Sequence, residues 1–325
     1  MPPTLDILGI GNAILDVLAR ADDAFLAARG LDKGAMRLVG TEEAEALYAA
    51  MGPGIESSGG SVANTCAAAA ALGARVGYLG KVANDLPGQV FGHDMRAAGV
   101  AFDTPPLVGG APTARCLILV TPDAQRTMNT CLGACVAFGE DDVDEAAVAS
   151  AAVTYLEGYL FDPPAAQAAF RRALRIAKAN GRQVALSLSD PFCVGRHRDA
   201  FRALLRDGVD ILFANEAEII SLYEAPDFAT AAKAVRAEVP IAALTRSAAG
   251  SVIAAGEETL LVAAAPTQVV DTTGAGDAYA AGFLAAHARG LPLAKCGRWA
   301  ALCAAEAISH VGARPQTDLK VLVGA

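Results

Sequence analysis

The sequence predicts an α/β protein with a doubly wound, mostly parallel sheet and a smaller β element beside it. Short apolar runs alternate with alanine-rich stretches of helical length, which is the pattern of parallel strands joined by crossover helices. Polar residues gather just past those runs, at Glu157, Asp190, Asn215 and Thr245, and ligands of open α/β sheets bind at that edge. Two segments, 13–39 and 107–130, break the rhythm with β-like runs of their own: ILDVLA, AMRLV, CLILV and QRTMNT. A chain of 325 residues can form one large domain with such an appendage, and 1–325 reads as a single unit.

In chain order, Leu5 to Gly9 reads as the first strand, Val62 to Leu72 as a helix and Arg75 to Leu79 as a strand. Val153 to Leu156, Val184 to Leu188, Ile211 to Phe213 and Ile241 to Leu244 follow as strands. They are spaced by helical stretches near Ala165 to Ala179, Arg198 to Arg206 and Ala229 to Ala237. After Asp277 a helix runs to about His287, with Gly290 and Pro292 as stop signals.

Composition excludes several classes. The net charge of −9 argues against a nucleic-acid partner, because phosphate-backbone binding needs clustered cations. No apolar run reaches membrane-spanning length, and MPPTLDILGIG lacks the basic region of a signal peptide, so a cytoplasmic protein is expected. The seven cysteines show no metal-ligand spacing and read as reduced thiols, with Cys131, Cys135, Cys296 and Cys303 in the core. His93, His197, His287 and His310 are scattered and read as structural.

The chemistry concentrates in DTTGAGDAYAAGF, Asp271 to Phe283. Gly274, Ala275 and Gly276 carry almost no side-chain bulk at the start of a helix, so their backbone N–H groups can close on an anion. Asp277 beside them would repel a phosphate unless it had a task, and accepting a proton from a hydroxyl that attacks phosphorus is such a task.

Asp271 to Asp277 resembles the second signature of the ribokinase family, the PfkB carbohydrate kinases. Gly59 to Gly73, GGSVANTCAAAAALG, resembles the first signature, and GKVANDLPGQVF continues it. The blocks GIGNAILDVLA, RTMNTCLGA and LTRSAAGSVI are most similar to adenosine-kinase-like members. The resemblance implies a ribokinase-like fold in which 13–39 and 107–130 form a β lid over the acceptor, excluding water from the transfer. It implies ATP and Mg²⁺ as cofactors, a small-molecule acceptor, and a monomer or homodimer. By the same resemblance Asn12, Asp16, Gly59, Gly60 and Asn64 hold acceptor hydroxyls, and Asn215 with Glu218 serves Mg²⁺, largely through water. Thr245, Arg246, Ser247 and Thr273 line the nucleotide phosphates, with Ser247 standing where many members have glycine. Asp271 and Thr273 match a monovalent-cation site, for K⁺, of some members.

GIGNAI starts like a dinucleotide fingerprint but ends in Ile14 and leads into a strand, and no Walker A lysine is present, so neither a dehydrogenase nor a P-loop enzyme is expected. The expected reaction is ATP-dependent phosphorylation of a hydroxymethyl group, with the 5′-hydroxyl of adenosine or a related nucleoside first. A sugar (ribose, fructose or 2-keto-3-deoxygluconate) is the alternative, and a non-catalytic nucleoside or sugar binder is a third reading. Leu38, Leu117 and Met128 of the lid are expected to form the slot for a base.

Overall fold

A computed structural model describes residues 2–123 and 125–325; residue 124, inside the second expected lid segment, and Met1 lie outside the described residues. Fourteen strands are formed among the described residues: β1 (Leu5–Ile10), β2 (Ile14–Arg20), β3 (Met36–Leu38), β4 (Gly54–Gly59), β5 (Val76–Leu79), β6 (Val100–Ala101), β7 (Ala114–Val120), β8 (Arg126–Cys131), β9 (Ala151–Glu157), β10 (Gln183–Ser187), β11 (Ile211–Asn215), β12 (Ile241–Thr245), β13 (Ser251–Ala255) and β14 (Glu258–Val262). Nine of them make the large sheet, in the order β14-β13-β12-β11-β10-β9-β1-β5-β6. It is parallel from β12 to β6 and ends in an antiparallel β13–β14 hairpin.

Each central strand is apolar throughout because both faces of this sheet are covered. Ile7 of β1 points into one core with Val62, Cys66, Tyr78, Phe213 and Phe283, while Leu8 and Ile10 point into the other with Phe161, Phe170 and Leu186. Helices Ser61–Ala71, Ala275–Ala288 and Leu293–Ala307 line the first core, and Pro164–Ala179, Pro191–Gly208 and Phe228–Arg236 line the second. Alanine richness permits close crossings: a Cβ on Gly282 would come within 2.7 Å of the Trp299 carbonyl oxygen of the neighbouring helix.

The remaining five strands form a second sheet, β3-β8-β7-β2-β4. Segments 13–39 and 107–130 supply β2, β3, β7 and part of β8. The first of them also contains the helix Asp23–Ala28, started by an Asp22 side chain that accepts from the Phe25 N–H at 2.7 Å. β4 comes from outside both segments. Its sequence, GIESSG, has little strand propensity, and its extension is imposed by antiparallel pairing with β2 from Ile14↔Gly59 to Ala19↔Gly54.

The pleat sorts this second sheet into two faces. Val17, Leu117 and Leu119 face outward onto Leu26, Ala44 and Leu47 of the covering helices. Directly paired residues share a face, so Asp16, Cys116, Thr130 and Leu38 form one row across β2, β7, β8 and β3 on the opposite side. Leu117 is fully buried in the outer core and cannot line a base slot, which corrects the sequence reading by one residue of register. Met128 stays on the inner face with Arg126 and Thr130.

Candidate active site

The loop from Asp271 delivers the helix Ala275–Ala288 to the carboxyl edge of the large sheet. Gly274 caps it at φ +76°, a left-handed conformation that favours glycine, and a Cβ there would lie 2.6 Å from the Ala313 Cβ. Gly276 is exposed and a Cβ on it would meet nothing within 4 Å, so the first-turn N–H groups of Gly276 and Asp277 face an open approach. Asp277, at the third position of the helix, accepts hydrogen bonds from the Ser61 hydroxyl at 2.6 Å and the Asn64 amide nitrogen at 3.1 Å. Burial pushes its carboxyl up to about 6, against the pull of those two donors and the Arg314 charge. A carboxylate poised there is ionised at neutral pH and still able to take a proton.

The helix Ser61–Ala71 presents Ser61 and Asn64 three residues apart on one face, and so holds the carboxylate from the opposite side. Ser61 is a residue that sequence reasoning misses, although its i, i+3 spacing to Asn64 is visible in the chain. Asn64 thereby gives one of its two amide N–H donors to Asp277. Gly60 starts the same helix at φ +93°, where a Cβ would collide with the Asn12 carbonyl oxygen. Gly59 backs directly onto Asp16, and a Cβ at that position would overlap the Asp16 carboxylate. The two glycines make room for Asn12 and Asp16.

Glu157 ties this junction together. It is 1% exposed at the end of β9 and accepts from the Asn12 amide nitrogen at 2.8 Å, the Asn12 N–H at 3.2 Å and the Val62 N–H at 2.9 Å. Burial raises its carboxyl to about 7. Asp16 is likewise pushed up to about 7 by burial, opposed by the charges of Arg314 and Arg126. Three acids with raised values around one cleft mark a site built for chemistry at neutral pH.

Arg126 of β8 bridges the second sheet to the helix-start loop. Its guanidinium pairs with Asp271 at 2.8 Å and donates to the Thr273 hydroxyl at 3.1 Å. Asp271 also accepts from the Thr273 N–H, the Thr273 hydroxyl and the Gly312 N–H. Its charge is met by the Arg126 guanidinium and three donors.

Asn215 and Glu218 form a reciprocal capping box at the end of β11. Glu218 accepts from the Asn215 N–H at 2.8 Å and the Asn215 amide nitrogen at 2.5 Å, and the Asn215 side chain accepts from the Glu218 N–H at 2.9 Å. Burial first, and the nearby Asp190 charge with it, lifts Glu218 to about 7. Asp190 caps the helix after the neighbouring β10, accepting from the Cys193 N–H at 2.7 Å. Two carboxylates at adjacent strand ends, one held against its charge, fit a hard divalent cation that keeps most of its water. Thr245 ends β12, and Ser247 follows at φ +49°, a backbone region that favours glycine. Arg246 pairs with Glu216 at 3.1 Å and lies 4.3 Å from the centre of the Phe228 ring.

The histidines pair away from the site. His197 pairs with Asp162 at 2.6 Å, His287 with Gln183 at 2.8 Å and His310 with Glu306 at 3.2 Å, while His93 is exposed. The seven cysteines are free and buried. Among the described residues no helix is long and apolar enough to cross a membrane.

Comparison with known proteins gives the family and the fold. The model of the pfkB family carbohydrate kinases matches residues 36–319. The structure of an adenosine kinase from Sinorhizobium meliloti is 51% identical, with a TM-score of 0.90 over 98% of both chains. That of a probable sugar kinase from Rhizobium etli CFN 42 is 47% identical, with a TM-score of 0.92 over 99% of this chain and 98% of that one. An ATP-dependent ribose-1-phosphate kinase from Halopiger xanaduensis is 30% identical across 80% of this chain and 83% of its own length.

Proposed function

The chain belongs to the pfkB family of carbohydrate kinases, and on that premise we propose that it transfers the γ-phosphate of ATP to the 5′-hydroxyl of adenosine or a related nucleoside. Kinases of this family act on nucleosides or sugars and are phosphotransferases with an alcohol acceptor. In the proposed reaction Asp277 takes the hydroxyl proton, the acceptor oxygen forms its bond to phosphorus, and the bond to the β-phosphate oxygen breaks to release ADP. The Gly276 and Asp277 N–H groups face the charge that develops on the transferred phosphoryl oxygens. Asp16 and the carbonyl oxygen of the Asn12 side chain receive acceptor hydroxyls, and Glu157 fixes Asn12 in place. Glu218 and Asp190 would hold Mg²⁺ through its water, and the bound ion would neutralise charge on the nucleotide phosphates. The second sheet acts as the lid, with Arg126 as its contact to the helix-start loop.

One observation carries the choice of a nucleoside. The row Asp16–Cys116–Thr130–Leu38 spans three strand steps, about 14 Å at the usual spacing. At its far end lies a cavity of about 300 Å³ lined by Leu38, Val39, Ala111, Thr130, Leu132 and Val136. A free pentose or hexose held at Asp16 does not extend along this row, whereas a ribose at Asp16 carries its base toward the apolar end. The test is an acceptor panel with MgATP. Adenosine should exceed ribose, fructose and 2-keto-3-deoxygluconate in kcat/KM by at least roughly 10²-fold, the scale of a buried base that the others lack. A sugar that outperforms every nucleoside would overturn the acceptor and leave the kinase reading in place.

A further inference from the structure

Arg314 lies far along the chain from the residues it holds, and it is half-buried. Its Nη2 donates to the Ser58 carbonyl oxygen at 2.8 Å and the Ser58 hydroxyl at 2.7 Å, its Nε to the same carbonyl at 3.2 Å, and its Nη1 to the Ala63 carbonyl oxygen at 3.0 Å. Ser58 is in turn fixed from behind, because its N–H and hydroxyl both donate to Asp94 Oδ2 at 2.7 Å. The fork therefore grips both ends of the 58–63 junction, where β4 of the small sheet becomes the helix Ser61–Ala71. That junction carries Gly59 against Asp16, Gly60 against Asn12, and Ser61 with Asn64 against Asp277. The guanidinium is spent on carbonyl and hydroxyl oxygens of the junction rather than on a directly paired carboxylate, and a lysine, which lacks the planar fork, could not make the same set of bonds.

We propose that Arg314 is a positioning residue of the transfer reaction, setting the acceptor clamp and the base together by locking the strand-to-helix junction between them. The guanidinium lies within the field of Asp94 on the helix Leu86–Ala97, Asp16 on β2, Cys66 on the helix Ser61–Ala71, Tyr78 on β5 and Asp277 on the helix Ala275–Ala288. Besides Arg314, Asp277 is met by Ser61 and Asn64, with the acids Asp16 and Glu157 also within its field. The positive charge favours ionised Asp277, so its removal moves the acidic limb of the rate profile to higher pH.

The inference rests on the kinase reading above, and its test compares the wild type with Arg314→Lys, which keeps the charge but loses the fork, and Arg314→Met, which keeps only the length. With MgATP and adenosine, both variants should lose about 10²-fold in kcat/KM for the acceptor, the scale of a misplaced reacting group, while KM for ATP stays within about two-fold. The acidic limb should move up in Arg314→Met and stay in Arg314→Lys. Wild-type acceptor kinetics in either folded variant, or equal losses toward ATP and acceptor, would overturn the proposal. If Arg314→Met does not fold, Arg314→Lys decides by its acceptor kinetics. Hydrogen exchange over residues 54–66 gives a readout independent of turnover. Faster exchange there in Arg314→Lys supports the clamp even if no acceptor is phosphorylated, and unchanged exchange overturns it.

Discussion

Replacing Gly276 by alanine separates a glycine kept for the fold from one kept for a ligand. The residue sits in the first turn of the helix Ala275–Ala288, exposed, with nothing within 4 Å of the place a methyl group would take and no left-handed backbone to accommodate. On structural grounds alone alanine is the better residue, since glycine in a helix costs roughly 0.5–1 kcal/mol through backbone entropy. Gly276→Ala should therefore leave the melting temperature unchanged or raise it by about 1–2 °C. The methyl group would stand where the phosphoryl group approaches the Gly276 and Asp277 N–H groups. Loss of one such contact typically lowers kcat by about 10²–10³-fold. Thermal unfolding and an ADP-release assay on one preparation give both numbers. Full activity in a stabilised variant would refute the claim that this opening admits the phosphoryl group.

Two further outcomes follow from the same geometry. Glu218→Gln should raise the Mg²⁺ concentration for half-maximal rate well beyond any change in acceptor KM, and an unchanged Mg²⁺ profile would leave Glu218 as a helix cap only. The ligand-free protein should lose stability as pH rises from about 4 to 7. Asp16, Glu157 and Glu218, each lifted to about 7, and Asp277, lifted to about 6, bind protons more tightly folded than unfolded. Their contribution is complete below the ordinary carboxylate range and is lost as pH passes through 6–7. Asp85 and Asp162, held below their ordinary value, act oppositely and only below about pH 4. A drop of roughly 5 °C or more across that range is expected, and a flat or rising melting curve would contradict the burial of these acids.

The parallel strands are legible in the chain because a strand covered on both faces must be apolar along its length, as in IAALT of β12, and the cleft residues follow because each stands just past such a run. β4 is not legible. GIESSG is extended only because β2 pairs with it, a tertiary effect that local propensity opposes. The lid residues Leu38 and Met128 lie on the inner face. Hydrophobicity alone groups Leu117 with them, and only the Cys116↔Thr130 register shows that its side chain points the other way. Ser61 can be found from its spacing to Asn64. Arg126 and Arg314 cannot, because their partners Thr273 and Ser58 are 147 and 256 residues away in sequence and no periodicity marks either arginine.

Asp277 as the proton acceptor is the claim most directly open to test. Its carboxylate is held by Ser61 and Asn64 beside the open helix start, so Asp277→Asn should retain ATP and acceptor binding by calorimetry while kcat falls by roughly 10²-fold or more. The acidic limb of the wild-type profile, expected near pH 6, should vanish in the variant. Turnover close to wild type, with that limb still in place, would show that Asp277 only starts a helix and would remove the base from the mechanism.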